Sequence, residues 1–130
     1  MKSFQNIISV LLLLICSFVS AQETATLDCS LLKNIKLKYV DGTHENDYVE
    51  IHNNKHVEHL QNDSYYIKSD LEWINDCEYN ATMTEVTVPN FPFQPGAVMH
   101  VKFEKIEAGF VSGTGSVNGA TFPVKFEIMK

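Results

Sequence analysis

The stretch that decides the fold is residues 65–73, with the sequence YYIKSDLEW. Its odd-numbered residues are apolar or small, and its even-numbered residues are one tyrosine followed by three charged side chains. Because successive side chains of a β-strand point to opposite faces, this period of two predicts a strand with one buried and one wet face.

Short alternating runs of the same kind lie on both sides of this stretch. They occupy residues 35–40, 48–52, 56–60, 77–88, 98–106, 110–117 and 122–128. Turn residues separate them, and Asn118-Gly119 is the strongest hairpin signal in the chain. A total of about eight short strands, at a spacing of roughly 8–12 residues, is typical of a β-barrel or a β-sandwich.

The short connections favour an up-and-down strand order over a Greek key. We therefore predict an all-β fold, a single antiparallel meander that forms a strongly curved sheet or a small lipocalin-like barrel, with a β-sandwich as the alternative. Helix is limited to one turn near residues 30–32. Val86 and Val88 change the phase of their run, which indicates a bulge or bend. Pro123 indicates that the last strand lies at a sheet edge or a bulge.

The first 21 residues have the features of a signal peptide. Lys2 precedes an apolar run over residues 7–19, which is shorter than the roughly 20 residues of a membrane span. Small residues follow it, and we expect cleavage between Ala21 and Gln22. Residues 22–130 would then form a single β domain, and we expect a secreted or periplasmic protein without a membrane span after cleavage.

The charge composition disfavours several classes of partner. The formal net charge is −6, and all ten basic residues are lysines. Arginine is the side chain that most often forms paired hydrogen bonds with phosphate groups and with guanine. A phosphate backbone also repels an acidic chain. We therefore expect neither nucleic-acid binding nor adhesion to an anionic membrane.

Two cysteines, Cys29 and Cys77, remain after the predicted cleavage. An even number of cysteines in an exported chain indicates a disulfide. A redox pair would sit in a C-x-x-C motif, and a structural zinc site needs four closely spaced ligands. Neither pattern is present, so we predict a Cys29–Cys77 disulfide.

Residues 71–79, LEWINDCEY, contain the pattern W-x-x-D-C-x-Y, and Lys33 lies four residues after Cys29. In these features the chain resembles a group of small exported proteins from Bacteroidetes bacteria. The resemblance implies export, a β fold and pairing of the two cysteines. It implies no activity.

Three histidines, His52, His56 and His59, flank one predicted turn. On a hairpin, His52 and His56 would face each other, whereas His59 would lie on the opposite face from His56. A divalent metal site is one interpretation. We favour solvated edge histidines, because no carboxylate completes a zinc site, and we predict no metal.

Two groups of acidic residues are candidate sites. The first is Asp41, Glu45, Asp47 and Glu50, whose spacing does not match a calcium loop, so a charged solubilising loop is favoured. The second is Asp70, Glu72, Asp76 and Glu78, which could supply the two carboxylates of a glycosidase. Acidic residues are ordinary on the wet face of a strand, and the chain has neither a nucleophile elbow nor an H-E-x-x-H motif. We predict no catalytic residue and no cofactor.

The proline-rich connection Pro89–Gly96 contains Phe91 and Phe93. These two side chains either present an apolar patch to a partner or, as we favour, fold back to plug a barrel end. Trp73 and Phe103 are the other candidate binding residues, and Phe122 and Phe126 could line the same interior.

The leading functional hypothesis is therefore a binding module that holds a small apolar ligand in the barrel or at its mouth. The alternative is a secreted or envelope-associated protein-interaction module that uses an exposed edge and the Pro89–Gly96 connection. A hydrolase is a third hypothesis. A fully packed interior would favour the interaction module over a central ligand site.

Overall fold

The computed structural model describes residues 27–40 and 45–130. The predicted signal peptide, Asp41 and His44 lie outside the described residues. The described part contains one 3₁₀ helix and eight β-strands. Their bounds are Ser30–Lys33 for the 3₁₀ helix, then β1 (Ile35–Tyr39), β2 (Tyr48–His52), β3 (Lys55–Leu60), β4 (Tyr65–Asn75), β5 (Glu78–Val86), β6 (Val98–Glu107), β7 (Phe110–Val117) and β8 (Ala120–Ile128).

Each strand pairs antiparallel with the next, and β8 pairs with β1 to close the barrel. The prediction of an all-β, up-and-down barrel is therefore confirmed, and closure of the sheet excludes the sandwich. The single helical turn is also found where it was predicted. No helix within residues 27–40 and 45–130 has the length and apolar character of a membrane span.

Residues in the left-handed backbone conformation, with positive φ, form the tight turns between neighbouring strands. Asn118 and Gly119 have φ values of 50° and 82°, which confirms the predicted hairpin. Asn53 and Asn54 have φ values of 50° and 57°, so this turn has two residues, not the three (53–55) that we expected from the sequence.

The shorter turn moves the register of β3 by one residue. His52 therefore pairs with Lys55, and His56 pairs with Ile51. The expectation that His52 and His56 face each other is wrong for this reason.

Alternate residues of β4 point to opposite faces, as predicted. Ile67, Ser69 and Leu71 are buried, whereas Lys68 and Asp70 are exposed. The same alternation elsewhere builds one continuous core inside the barrel. The buried core residues are Cys29, Leu32, Leu37, Val49, Ile51, Leu71, Tyr79, Ala81, Val101, Phe103, Val111 and Phe126.

Two irregularities bend the strands. Lys68 pairs with Glu85 and Ser69 with Met83, which leaves Thr84 as an extra residue in β5. This bulge confirms the phase change predicted before Val86. A second shift separates residues 103 and 105 in β6.

The two ends of the barrel differ. At one end, Leu32 of the 3₁₀ helix and Cys29 are fully buried. A disulfide joins Cys29 to Cys77 in the β4–β5 turn, with a Cα–Cα distance of 5.2 Å, so the predicted pairing is confirmed. We call this the 3₁₀ end. The connections β1–β2, β3–β4, β5–β6 and β7–β8 lie at the opposite end, which we call the far end.

The first prediction concerns the disulfide. The bond joins residues 48 positions apart, and closing a loop of that size stabilises the folded state by about 4 kcal/mol in the chain-entropy model. We expect the double variant Cys29→Ala/Cys77→Ala to lose about this much free energy of unfolding in urea titrations. Reduced wild-type protein should match the variant. A loss of unfolding free energy below about 1 kcal/mol would show that the disulfide does not constrain the unfolded chain.

The second prediction concerns Gly113, which lies opposite the shift in β6. A Cβ atom at this position would lie 1.9 Å from the backbone oxygen of Lys102. Because a backbone atom cannot move aside cheaply, Gly113→Ala should lower the free energy of unfolding by about 1–3 kcal/mol. The matched control is Thr114→Ala, at an exposed neighbour, which should cost less than about 1 kcal/mol. Equal losses for the two variants would contradict the steric explanation.

Candidate functional site

The barrel wall has a notch at the seam between β1 and β8. The two strands pair at only three positions, Leu37–Ile128, Lys38–Glu127 and Tyr39–Phe126. Residues 120–125 of β8 pair with β7 but with no other strand in the described part of the chain. Pro123 lies in this half of β8 and has no N–H to leave unpaired, which agrees with the predicted edge position.

An apolar groove of about 400 Å³ occupies this notch at the far end. We call it the seam groove. Its lining residues are Tyr39, Val40, Phe122, Pro123, Val124, Lys125 and Phe126. A groove of this volume is large enough for a small organic molecule.

Two aromatic contacts shape the seam groove. The ring of Phe126 packs against that of Tyr39, with 5.0 Å between centroids. The ring of Phe122 covers Gly115, its partner in β7, where an added Cβ would lie 2.5 Å from the ring. Phe122 nevertheless remains 36% exposed, whereas Phe126 is buried. Of the residues predicted to line a ligand site, these two are the ones found at the groove.

Glu58 of β3 faces the inside of the barrel. It pairs with the buried Val49 across β2 and β3, so its side chain shares the inner face. The Tyr39 hydroxyl donates a hydrogen bond to the Glu58 carboxylate. Burial raises the pKa of Glu58 to about 7, the Tyr39 hydrogen bond opposes the shift, and the charge of Asp47 adds to it. Burial and the Glu58 charge in turn raise the pKa of Tyr39.

Asp47 corrects the expectation of a solubilising acidic loop. It is only 3% exposed. The backbone N–H of Gln61 donates to its carboxylate at 2.8 Å, and the backbone N–H of Tyr39 donates to its carbonyl oxygen at 3.2 Å. These hydrogen bonds offset the cost of burying Asp47. The bond from Gln61 also links the β3–β4 connection to the β1–β2 connection at the far end. Glu45 is exposed as expected, and Glu50 lies on the outer face, 3.7 Å from His59.

His56 is also placed differently from the sequence-based expectation. It is 2% exposed, its ring lies 5.9 Å from that of Tyr79, and its Nδ1 has no hydrogen-bond partner among the described residues. Burial lowers the pKa of His56 to about 4, so the ring is neutral at pH 7. The favoured interpretation as a solvated edge histidine is therefore wrong for His56, because the two-residue turn sends it inward.

The neighbouring histidines lie on the surface. His59 is on the opposite face from His56, as predicted, and its ring stacks on Tyr48 with 4.3 Å between centroids. His52 is exposed, and its Nδ1 lies 2.9 Å from the side-chain oxygen of Asn34. Within residues 27–40 and 45–130, no three histidine, cysteine or carboxylate side chains come together as metal ligands would.

The predicted binding residues Trp73 and Phe103 belong to the core region. Both rings contact Tyr79, with centroid distances of 5.1 Å and 6.0 Å. Phe103 is 1% exposed. Trp73 lies toward the 3₁₀ end beneath the Lys33 ammonium group, and within the described part of the chain its buried Nε1 has no hydrogen-bond partner.

The other two predicted binding residues, Phe91 and Phe93, lie in the β5–β6 connection at the far end. Their rings pack edge-to-face on each other, with 5.7 Å between centroids, and both are partly buried. The four residues proposed from the sequence are therefore divided between the core and a far-end connection, and do not line one cavity.

The carboxylates considered for glycoside hydrolysis lie on the outer surface. Asp70 forms an ion pair with Lys55, and Asp76 lies 3.2 Å from Lys33. Glu78 lies 3.3 Å from His100. These contacts agree with the interpretation of a charged wet face.

Comparison with known proteins finds no relative from which a function could be transferred. No protein-family model matches the chain, and neither the curated proteins nor the solved structures give a significant match. The site is therefore interpreted from its own chemistry.

The third prediction concerns Glu58 and pH. Its pKa is raised from 4.5 to about 7 in the folded protein, so the stability from its protonated form is complete below pH 4.5 and is lost as the pH rises through 7. Glu58→Gln keeps an acceptor for Tyr39 but cannot ionise. The variant should be more stable than wild type at pH 8, by on the order of 2 kcal/mol, and equal to it near pH 4.5.

Urea unfolding at several pH values measures this difference. His56 has the opposite sign, since its lowered pKa means that stability is lost as the pH falls from 6.5 toward 4. This contribution is common to both proteins and cancels in the difference. Glu72→Gln, on the outer face of β4, is the control for removing one negative charge. A pH-independent difference between Glu58→Gln and wild type would contradict the prediction.

Proposed function

We propose that this protein is an exported binding module that takes a small apolar ligand in the seam groove. The observation that carries the proposal is the groove itself, an apolar depression of about 400 Å³ lined in part by the partly exposed ring of Phe122. Burial of that ring by a ligand would remove apolar surface from water, which favours binding.

The position at the seam follows from the packing of the interior. Tyr79 and Phe103 fill the middle of the barrel, where both are almost completely buried. The ligand therefore occupies the mouth at the far end and not the centre of the barrel. The binding residues we propose are Tyr39, Phe122 and Phe126.

Export is part of the same proposal. The Cys29–Cys77 disulfide is compatible with a secreted or periplasmic location, where such bonds persist. The predicted signal peptide and the resemblance to small exported Bacteroidetes proteins support this location.

A protein-interaction module is the second candidate, and one observation favours it. Residues 120–125 of β8 have β7 on one side and no second strand among the described residues. An extended segment of a partner could pair with this edge, as in strand addition. Pro123 interrupts the edge and limits the number of backbone hydrogen bonds that such a partner could form.

The fourth prediction separates these candidates. The neutral fluorophore N-phenyl-1-naphthylamine should bind the wild-type protein with an increase in its emission. Phe122→Ser removes the exposed ring of the groove and should weaken binding by about tenfold. Phe110→Ser is a matched control, because Phe110 is also 36% exposed but lies at the 3₁₀ end.

Titrations of the three proteins measure the effect. Equal binding by Phe122→Ser and Phe110→Ser would place the probe outside the seam groove. No binding to the wild-type protein would reject the ligand-binding proposal and leave the interaction module as the better hypothesis.

A further inference from the structure

We propose that the ligand of the seam groove is an amphipathic anion, an alkyl chain with a carboxylate head group. Its chain lies against Phe122 and Phe126, and its carboxylate pairs with the ammonium group of Lys125. This inference rests on the proposed function and adds to it the chemical class of the ligand.

The seam groove is lined by side chains from both faces of β8. Phe122 and Phe126 pair with the buried Gly115 and Val111 of β7, so their side chains share the inner face of the barrel. Lys125 lies between these faces in sequence, projects outward and is exposed. One groove reaches both faces because residues 120–125 have no second strand beside them among the described residues. A ligand in the notch therefore meets aromatic rings on the inner side of the wall and an ammonium group on the outer side.

The charge of the groove is positive. Among the described residues that line it, Lys125 is the one charged side chain, and the others are aromatic, aliphatic or proline. The carboxylates of Asp47 and Glu58 belong to residues outside this lining. A head group of negative charge is therefore attracted in the groove, whereas an ammonium head group is repelled.

The ammonium group of Lys125 is available for such a contact. Its Nζ lies 5.2 Å from the centroid of the Phe110 ring, and no described carboxylate forms an ion pair with it. Four other lysines do pair with a carboxylate: Lys33, Lys55, Lys68 and Lys105. A ligand carboxylate would not have to displace an existing anionic partner of Lys125. The flexible four-carbon stem lets the ammonium group turn from Phe110 toward the groove.

The net charge of −6 opposes any anionic ligand, and its range decides how much it matters. In about 0.1 M salt, exposed charges more than about 10 Å apart are largely screened. The contact between the carboxylate and Lys125 is much shorter than this, so the local pair determines the preference. An exposed ion pair of this kind raises affinity by about threefold. Burial of the alkyl chain supplies most of the affinity, and the ion pair sets the order among ligands with the same chain.

The fifth prediction is a comparison of three ligands with the same alkyl chain: octanoate, 1-octanol and octylammonium. Each is titrated into the wild-type protein loaded with N-phenyl-1-naphthylamine, at about 0.1 M salt and pH 8, where both charged ligands are ionised. Octanoate should displace the fluorophore at about threefold lower concentration than 1-octanol, and octylammonium at about threefold higher concentration.

Three variants assign this order to Lys125. Lys125→Gln should bring octanoate and 1-octanol within about twofold of each other, and Lys125→Glu should reverse the order so that octylammonium binds best. Lys102→Gln is the matched control, because Lys102 is an exposed lysine of β6 that does not line the groove. It removes the same charge and should keep the preference for octanoate. Circular dichroism confirms that each variant is folded.

The outcomes distinguish the two proposals. If 1-octanol binds as tightly as octanoate, or octylammonium binds best to the wild-type protein, the anion inference is wrong but the groove remains a ligand site. The same holds if none of the three ligands displaces a bound fluorophore. If Lys102→Gln loses the preference as fully as Lys125→Gln, the net charge sets the order and the inference is also wrong. If the fluorophore does not bind the wild-type protein, the proposed function itself fails.

Discussion

The barrel depends on the pairing of β1 with β8, and this pairing is unusually short. β1 has five residues and β8 has nine, and only the last part of β8 reaches β1. These few backbone contacts convert a meander with two free edges into a closed wall, which creates an interior where side chains can be buried on all sides. The unequal strand lengths also leave the notch in which the seam groove lies. Closure and the candidate site thus have one origin.

The interior enclosed in this way is not uniformly apolar. Along β3, the inward positions are occupied by His56, Glu58 and Leu60, whereas Val57 faces outward. Polar groups in such a place lower stability unless they are hydrogen-bonded or paired, and natural proteins accept this cost mostly at functional sites. The Tyr39–Glu58 pair fits this description, since Tyr39 also lines the apolar seam groove. His56 has a ring contact with Tyr79, and no described residue forms a hydrogen bond with its Nδ1 that would explain its burial.

Much of the fold could be predicted from local patterns. Strict alternation in residues 65–73, the Asn118-Gly119 turn and the even cysteine count each report a local or pairwise constraint, and each prediction was confirmed. The site could not be predicted in the same way. The inward-facing carboxylate, that of Glu58, lies on β3, where the apolar Val57 faces outward and polar residues face inward. Which face of the sheet Glu58 occupies depends on whether the turn at Asn53 has two or three residues. The alternation of His56, Glu58 and Leu60 along the sequence is the feature from which their common face could have been predicted. The groove arises from strands at opposite ends of the described chain, and no local pattern encodes their different lengths.

The disulfide and the β1–β8 seam bring together different parts of the sequence. The Cys29–Cys77 bond encloses β1 to β4 and ends in the turn before β5, so half of the barrel is held together by a covalent loop. The partners at the seam, by contrast, are the first and last of the described strands, and no covalent bond between described residues joins them. Contacts between such distant segments carry a higher loop-closure cost than contacts between neighbouring strands, which favours their late formation in folding. The seam is therefore the natural place for the barrel to close last and, in the folded protein, to open first. The barrel wall next to the groove would then open transiently by itself, while the half from β1 to β4, which the disulfide encloses, stays folded.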